Sequence, residues 1–193
     1  MRRRKIAVAA TTLLLTVPVF TSPVLAQKGV LPTTIIVGGG PMVSDRDIME
    51  NLAHSAEHQT FIALIHTAGL AELLQSHGPF TVFAPTDAAF AALPPGELDA
   101  LRRPDDKAAL VRLLQTHIVP GDYSSTRLRY MIRSNKGQAV LESLAGVSLT
   151  VANNGPSNLT VRDAKAAMAD ITLYDIKQAN GVVFVIDRVL APG

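Results

Sequence analysis

Residues 78–94 read GPFTVFAPTDAAFAALP, and three structural statements are packed into them. Phe80, Val82 and Ala84 alternate with Thr81, Phe83 and Pro85, a short run of β-formers at strand period. Pro85 has no amide hydrogen and ends that run. Thr86 and Asp87 then present side-chain oxygens to the free amides of a helix start, and Ala88–Leu93 is good helix material. Pro94, Pro95 and Gly96 close the helix. The stretch predicts a strand, a hard turn and a capped short helix.

This stretch resembles the first hallmark segment of the fasciclin domain family. A second segment, Asn180-Gly181-Val182-Val183-Phe184-Val185-Ile186-Asp187, followed by Val189-Leu190-Ala191-Pro192, resembles the family's other hallmark. Between them the family carries a tyrosine–histidine pair at a helix end, and here the chain has LLQTHIVPG with His117. The resemblance implies an α+β fold, a wedge of two small β-sheets with helices packed along one edge. It implies a structural motif of Thr81, Phe83, Pro85, Thr86, Asp87, His117, Asn180, Gly181 and Asp187, with His117 supporting the fold between the hallmarks. Two positions depart from the family pattern. Thr116 stands where the family usually has tyrosine, so an adhesive role assigned to that tyrosine does not transfer. Phe184 stands where the family often has histidine, which makes the strand more apolar.

The chain has 193 residues, 48% of them hydrophobic, enough for one domain with a sizeable core. The sequence pI near 9.1 invites a nucleic-acid partner, but the basic residues are misplaced for one. Arg2, Arg3, Arg4 and Lys5 form a single N-terminal run, and beyond residue 26 there remain 14 basic and 16 acidic residues. The apparent basicity belongs to a targeting signal. Cysteine is absent, so the chain has no disulfide, no thiol nucleophile and no thiolate for zinc.

Residues 1–26 read as a signal peptide: MRRRK, then the apolar Ile6–Phe20, then a small-residue cleavage site at Val24-Leu25-Ala26. The apolar run is short of the ~20 residues a spanning helix needs. A secreted or periplasmic protein is expected, with no stable membrane span after cleavage. Residues 27–44 read as a linker rich in glycine and proline, in which Thr33–Val37 is a candidate edge strand. Residues 45–193 are the expected domain. Helices are expected over Asp45–His54, from Phe61 to Leu74 with a break or C-cap at Gly69, from Pro104-Asp105-Asp106 to Ile118, and near Ser125–Arg133. After that the period changes to that of strands, at residues 139–142, 147–151, 159–162, 171–174 and 182–186. Helices first and strands later is an α+β order.

Candidate chemistry is sparse. His54-Ser55-Ala56-Glu57-His58 fits H-x-x-E-H, a zinc-peptidase pattern that needs both histidines on one continuous helix and a third ligand. The fasciclin resemblance puts these residues at a junction between two helices, so no metal, cofactor or catalytic residue is assigned. For Asp87 a helix cap suffices, and Asp187 is expected to bond backbone amides after its strand. Asp175-Ile176, five residues before Asn180-Gly181, resembles the receptor-contact pair of adhesive family members. The plainer reading is that Asp175 caps a turn and Ile176 fills the core.

The resemblance implies a secreted, non-enzymatic adhesion module with an extracellular or cell-surface protein or polysaccharide as partner. Weak self-association or multivalent display would supply avidity. The alternative is an envelope protein binding a polysaccharide or small ligand.

Overall fold

The computed structural model describes residues 31–103 and 107–193. The expected signal peptide and the Pro104-Asp105-Asp106 helix start lie outside these residues.

The described chain opens with a hairpin, β1 (Thr34–Val37) and β2 (Gly40–Val43). The candidate edge strand Thr33–Val37 is β1, and the glycine-rich residues after it, expected as linker, supply the turn and its partner β2. Gly38 and Gly39 both take positive φ, the turn that joins two strands through two residues. A composition that argued against regular structure is the composition of a tight hairpin. Val37 and Met42 point inward and are buried.

Six helices follow the hairpin: α1 (Ile48–Ala53), α2 (Gln59–Ala68), α3 (Ala71–Gln75), and, after strand β3 (Phe80–Pro85), α4 (Asp87–Ala91), α5 (Glu97–Arg102) and α6 (Lys107–Thr116). Asp47 caps α1 by accepting the Glu50 amide at 2.8 Å. Gly69 ends α2 in the left-handed conformation. Helix α6 stops at Thr116, and Ile118–Pro120, partly read as helix from sequence, is strand β4. Helix α7 (Ser125–Ser134) precedes the remaining strands, β5 (Gln138–Glu142), β6 (Ser148–Asn154), β7 (Asn158–Arg162), β8 (Met168–Gln178) and β9 (Gly181–Ile186).

Seven strands form one sheet in the order β4-β3-β9-β8-β7-β6-β5. The two small sheets expected are therefore halves of a single sheet. Strand β8 joins them: its first three residues pair with β7, and from Ile171 onward it pairs with β9. Its register shifts twice between Ile171 and Ile176, the mark of bulges. The sheet nearly closes, because the Leu144 amide, just past β5, donates to the Ile118 carbonyl of β4 at 2.8 Å.

The two hallmark strands lie side by side. Strand β3 pairs parallel with β9, from Phe80 opposite Gly181 to Pro85 opposite Ile186. Both are buried on both faces, as their continuous apolar runs require. Val82, Ala84, Val183 and Val185 face one core, shared with the hairpin and α1–α6. Phe83, Val182, Phe184 and Ile186 face the other, shared with α7 and strands β5–β8. Helices therefore pack on both cores and not along one edge alone. Phe83 and Phe184 stack with centroids 5.7 Å apart, and Tyr174 meets Phe184 edge-on. A phenylalanine at 184 fits because its surroundings are apolar; burying such a ring contributes about 2–3 kcal/mol.

Candidate binding surface

The polar residues of the hallmark segments bond backbone, and most of them bond inward. The buried Thr81 hydroxyl donates to the Gly121 carbonyl (2.7 Å) and accepts the Tyr123 amide (3.0 Å), holding the loop after β4 against β3. Thr86 caps α4 by accepting the Ala89 amide at 3.2 Å. Asp87, read as a cap for its own helix, reaches across to α2 instead. Its carboxylate accepts the amides of Gln59 (3.3 Å) and Thr60 (2.7 Å) at the start of that helix. His58, at the capping position of α2, makes no capping bond itself, and Asp87 supplies the missing acceptor.

Asn180 joins three elements. Its side-chain oxygen accepts the Ile48 amide (3.0 Å), and its amide nitrogen donates to the carbonyls of Leu74 (2.6 Å) and Ser76 (2.8 Å). The next residue is glycine for lack of room: a Cβ on Gly181 would lie 1.9 Å from the Phe80 carbonyl oxygen. Asp187 ties the end of β9 to β8, accepting the Asp170 amide at 2.8 Å.

His117 is wholly buried between α6 and the C-terminal segment. Its Nδ1 meets the Leu113 carbonyl and its Nε2 meets the Leu190 amide, both at 2.9 Å. A carbonyl only accepts and an amide only donates, so the ring is neutral with its proton on Nδ1. Burial pushes its pKa down to about 4, against smaller opposing effects of the Leu113 bond and Asp163. Thr116 is also buried, its hydroxyl donating to the Arg112 carbonyl of its own helix.

Asp163 escaped the sequence reading. It is buried, and its carboxylate accepts three amides: Lys165 (2.9 Å), Ala167 (3.0 Å) and Ala191 (2.9 Å). A hydrophilic residue after a strand gives no signal of its own, and its third partner is 28 positions away.

The H-x-x-E-H motif is split. His54 caps the end of α1 and its Nδ1 meets the Glu50 carbonyl at 2.7 Å, while His58 stands before α2. His58 is buried, with Nδ1 2.7 Å from the Ser55 hydroxyl and Nε2 without a hydrogen-bond partner among the described residues. Burial lowers its pKa, partly opposed by Asp87 and Glu57. Among the described residues no three histidine or acidic side chains are grouped to hold a metal.

The two residues of the Asp175-Ile176 pair are placed differently, Ile176 inside and Asp175 half-buried. Ile176 is fully buried in the first core, opposite Val183. Asp175 sits in the β8 bulge with φ near 53°, and its carboxylate accepts the amide of Ser125 at 2.6 Å and the Ser125 hydroxyl. It fastens the first turn of α7 to the sheet. Two shallow grooves flank it: one of about 320 Å³ reaching His77, Pro79 and Asp122, the other of about 290 Å³ reaching Thr33, Ile35 and Ser44. Lys177 lines both.

The chain that forms this parallel pair of buried hallmark strands is matched over residues 56–192 by the Fasciclin domain family model. The chain belongs to the fasciclin domain family. Protein sll1483 of Synechocystis sp. is 34% identical over 170 residues, covering 87% of this chain and 86% of that protein. Human periostin is 35% identical over 133 residues, covering 69% of this chain but 14% of periostin. Among solved structures, the FAS1 domain pair of the insect cell adhesion molecule Fasciclin I matches with a TM-score of 0.68. That match covers 75% of this chain and 50% of the other at 16% identity, and it shows the shared fold alone. Among the described residues no helix is long and apolar enough to cross a membrane.

Proposed function

We propose that this fasciclin domain is a secreted, non-enzymatic adhesion module, attaching a cell to a surface, a matrix or another cell. The observation that supports this most is the engagement of its polar residues. Thr81, Thr86, Asp87, His117, Asp163, Asp175, Asn180 and Asp187 all direct polar atoms to backbone groups of the fold. A catalytic base or nucleophile needs a free atom facing a substrate; these atoms are occupied holding elements together. A groove of about 440 Å³ lined by Asp163, Asp187, Lys165 and Arg188 illustrates the point. Both of its carboxylates accept backbone amides. What is left for recognition is the outer surface.

Surfaces coated with the purified protein are expected to retain cells or matrix from its native setting. Failure of a correctly folded protein to retain either would remove this reading. A second reading, a small extracellular ligand held beside Lys177, draws on the two grooves there. Titration with a panel of neutral soluble oligosaccharides, repeated on Lys177→Ala, distinguishes them, since the adhesion reading expects no saturable small-ligand site in those grooves.

A further inference from the structure

Helix α7 and the loop after it carry Arg127, Arg129, Arg133 and Lys136, and residues 123–141 contain no acidic residue. This is unusual for its setting. Residues 32–100 hold eight acidic residues against the single base Arg46. The ion pairs found among the described residues are Arg46–Glu50 and Arg102–Asp99, and neither touches α7. Among the described residues no carboxylate forms an ion pair with the cations of this helix; Asp175 bonds the amide and hydroxyl of Ser125 at its start.

Two of the guanidinium groups are nonetheless held in place. Arg127 lies 4.4 Å from the centroid of the Tyr123 ring and donates to the Asp122 carbonyl at 2.7 Å. Arg129 donates to the Ser157 carbonyl. Neutral partners fix the side chains and leave their charge available. The helix buries Leu128 and Ile132, so its outer face is set. On that face Tyr130 is 64% exposed. Arg127, Tyr130 and Arg133 follow at three-residue steps, ~4.5 Å apart along the axis. The result is an aromatic plate between two cations.

We propose that this face of α7 binds an acidic polysaccharide, a polymer of uronic-acid type. This deepens the adhesion reading, on which it rests, by naming the surface and the chemistry of the partner. A guanidinium matches a carboxylate through paired N–H donors. The CH face of a sugar ring fits against an exposed phenol ring. A repeating polymer presents both features at intervals and engages many copies of the domain at once, which a single weak site requires. An acidic protein would have to bring a pocket for the projecting Tyr130.

The test is retention of the full protein on immobilised polygalacturonate, with neutral dextran and poly-L-glutamate as comparisons. Wild type is expected to be held at low ionic strength, released as salt screens the contact, and to pass through dextran. The double variant Arg133→Glu/Lys136→Glu, at exposed positions, is expected to bind about tenfold more weakly or worse. Tyr130→Ala is expected to weaken binding to polygalacturonate about threefold or more. Thermal midpoints near that of wild type identify the variants as folded, and Arg133→Gln/Lys136→Gln serves if charge reversal disturbs them. The proposal is overturned if wild type is not held on polygalacturonate, or if the double variant binds as well. It is also overturned if Tyr130→Ala changes nothing while poly-L-glutamate is held as tightly, which would indicate an acidic protein. A protein that still retains cells but ignores polygalacturonate would sink this surface and leave adhesion standing.

Discussion

His117 Nε2 accepts the backbone amide of Leu190 at 2.9 Å, across 73 positions of sequence. That bond fixes the C-terminal segment against the end of α6, and it exists only while the imidazole is neutral.

The consequence is a pH dependence of stability. The folded pKa, about 4, lies below the ordinary 6.5. Between these values the unfolded chain takes up a proton that the folded chain refuses. Stability is therefore fully present above pH 6.5 and falls as the pH drops toward 4. The loss from His117 is about 3 kcal/mol, and His58, also shifted down by burial, adds to it in the same direction. Urea unfolding at pH 7.5 and 4.5 should show this loss, and His117→Gln should reduce the difference between the two pH values while lowering stability at pH 7.5.

Gly181→Ala should be among the most damaging small substitutions in the chain. The added Cβ would lie 1.9 Å from the Phe80 carbonyl oxygen, at the first step of the β3–β9 register. Rigid backbone stands on both sides, so the strands must separate. A loss of about 3 kcal/mol or more is expected, read from the urea midpoint. A change under about 1 kcal/mol would mean that the two strands approach less closely.

Asp163→Ala should cost about 2–4 kcal/mol, because three amides lose their common acceptor. The amide of Ala191 should exchange with deuterium much faster, together with its neighbours at the C-terminal end. Equal exchange in variant and wild type would contradict this role.

Asp87→Ala should destabilise the protein by about 1–2 kcal/mol, with faster exchange at the Thr60 amide of α2, not at the start of α4. Thr86→Ala should do the reverse, exposing the Ala89 amide of α4. Exchange confined to α4 in the Asp87 variant would show that the carboxylate serves its own helix.

The division of labour between Thr86 and Asp87 shows how far the sequence could be read. A capping residue was legible, since Pro85 ends a strand and a helix follows. Which helix each oxygen serves depends on a contact 27 positions back, and no local pattern encodes it. The buried faces of α2 and β9 were legible because hydrophobic period records burial. Strand β1 was legible as a candidate edge strand at Thr33–Val37, but its partner β2 was not, because glycines that make a tight turn and glycines that make a flexible linker look alike. Strand β4 was hidden by Leu110, Leu114 and Ile118, all buried and all at helical spacing, although the helix ends at Thr116 between them. Strand β8 was read too short because its bulges break alternation at the place where it changes partner. Asp175 and Ile176 sit in that irregular stretch, so a motif that could face outward instead fastens α7 and fills the core.

The interior of this domain holds the fold, and its exterior is the proposed binding surface. The most direct test compares the attachment of native-source cells or matrix to surfaces coated with wild type and with His117→Gln, each verified as folded by circular dichroism at pH 7.5. Equal retention by the two proteins is the predicted result. No retention by folded wild type, or its loss in a folded His117→Gln variant, would contradict the account by denying attachment or by moving it to the buried histidine.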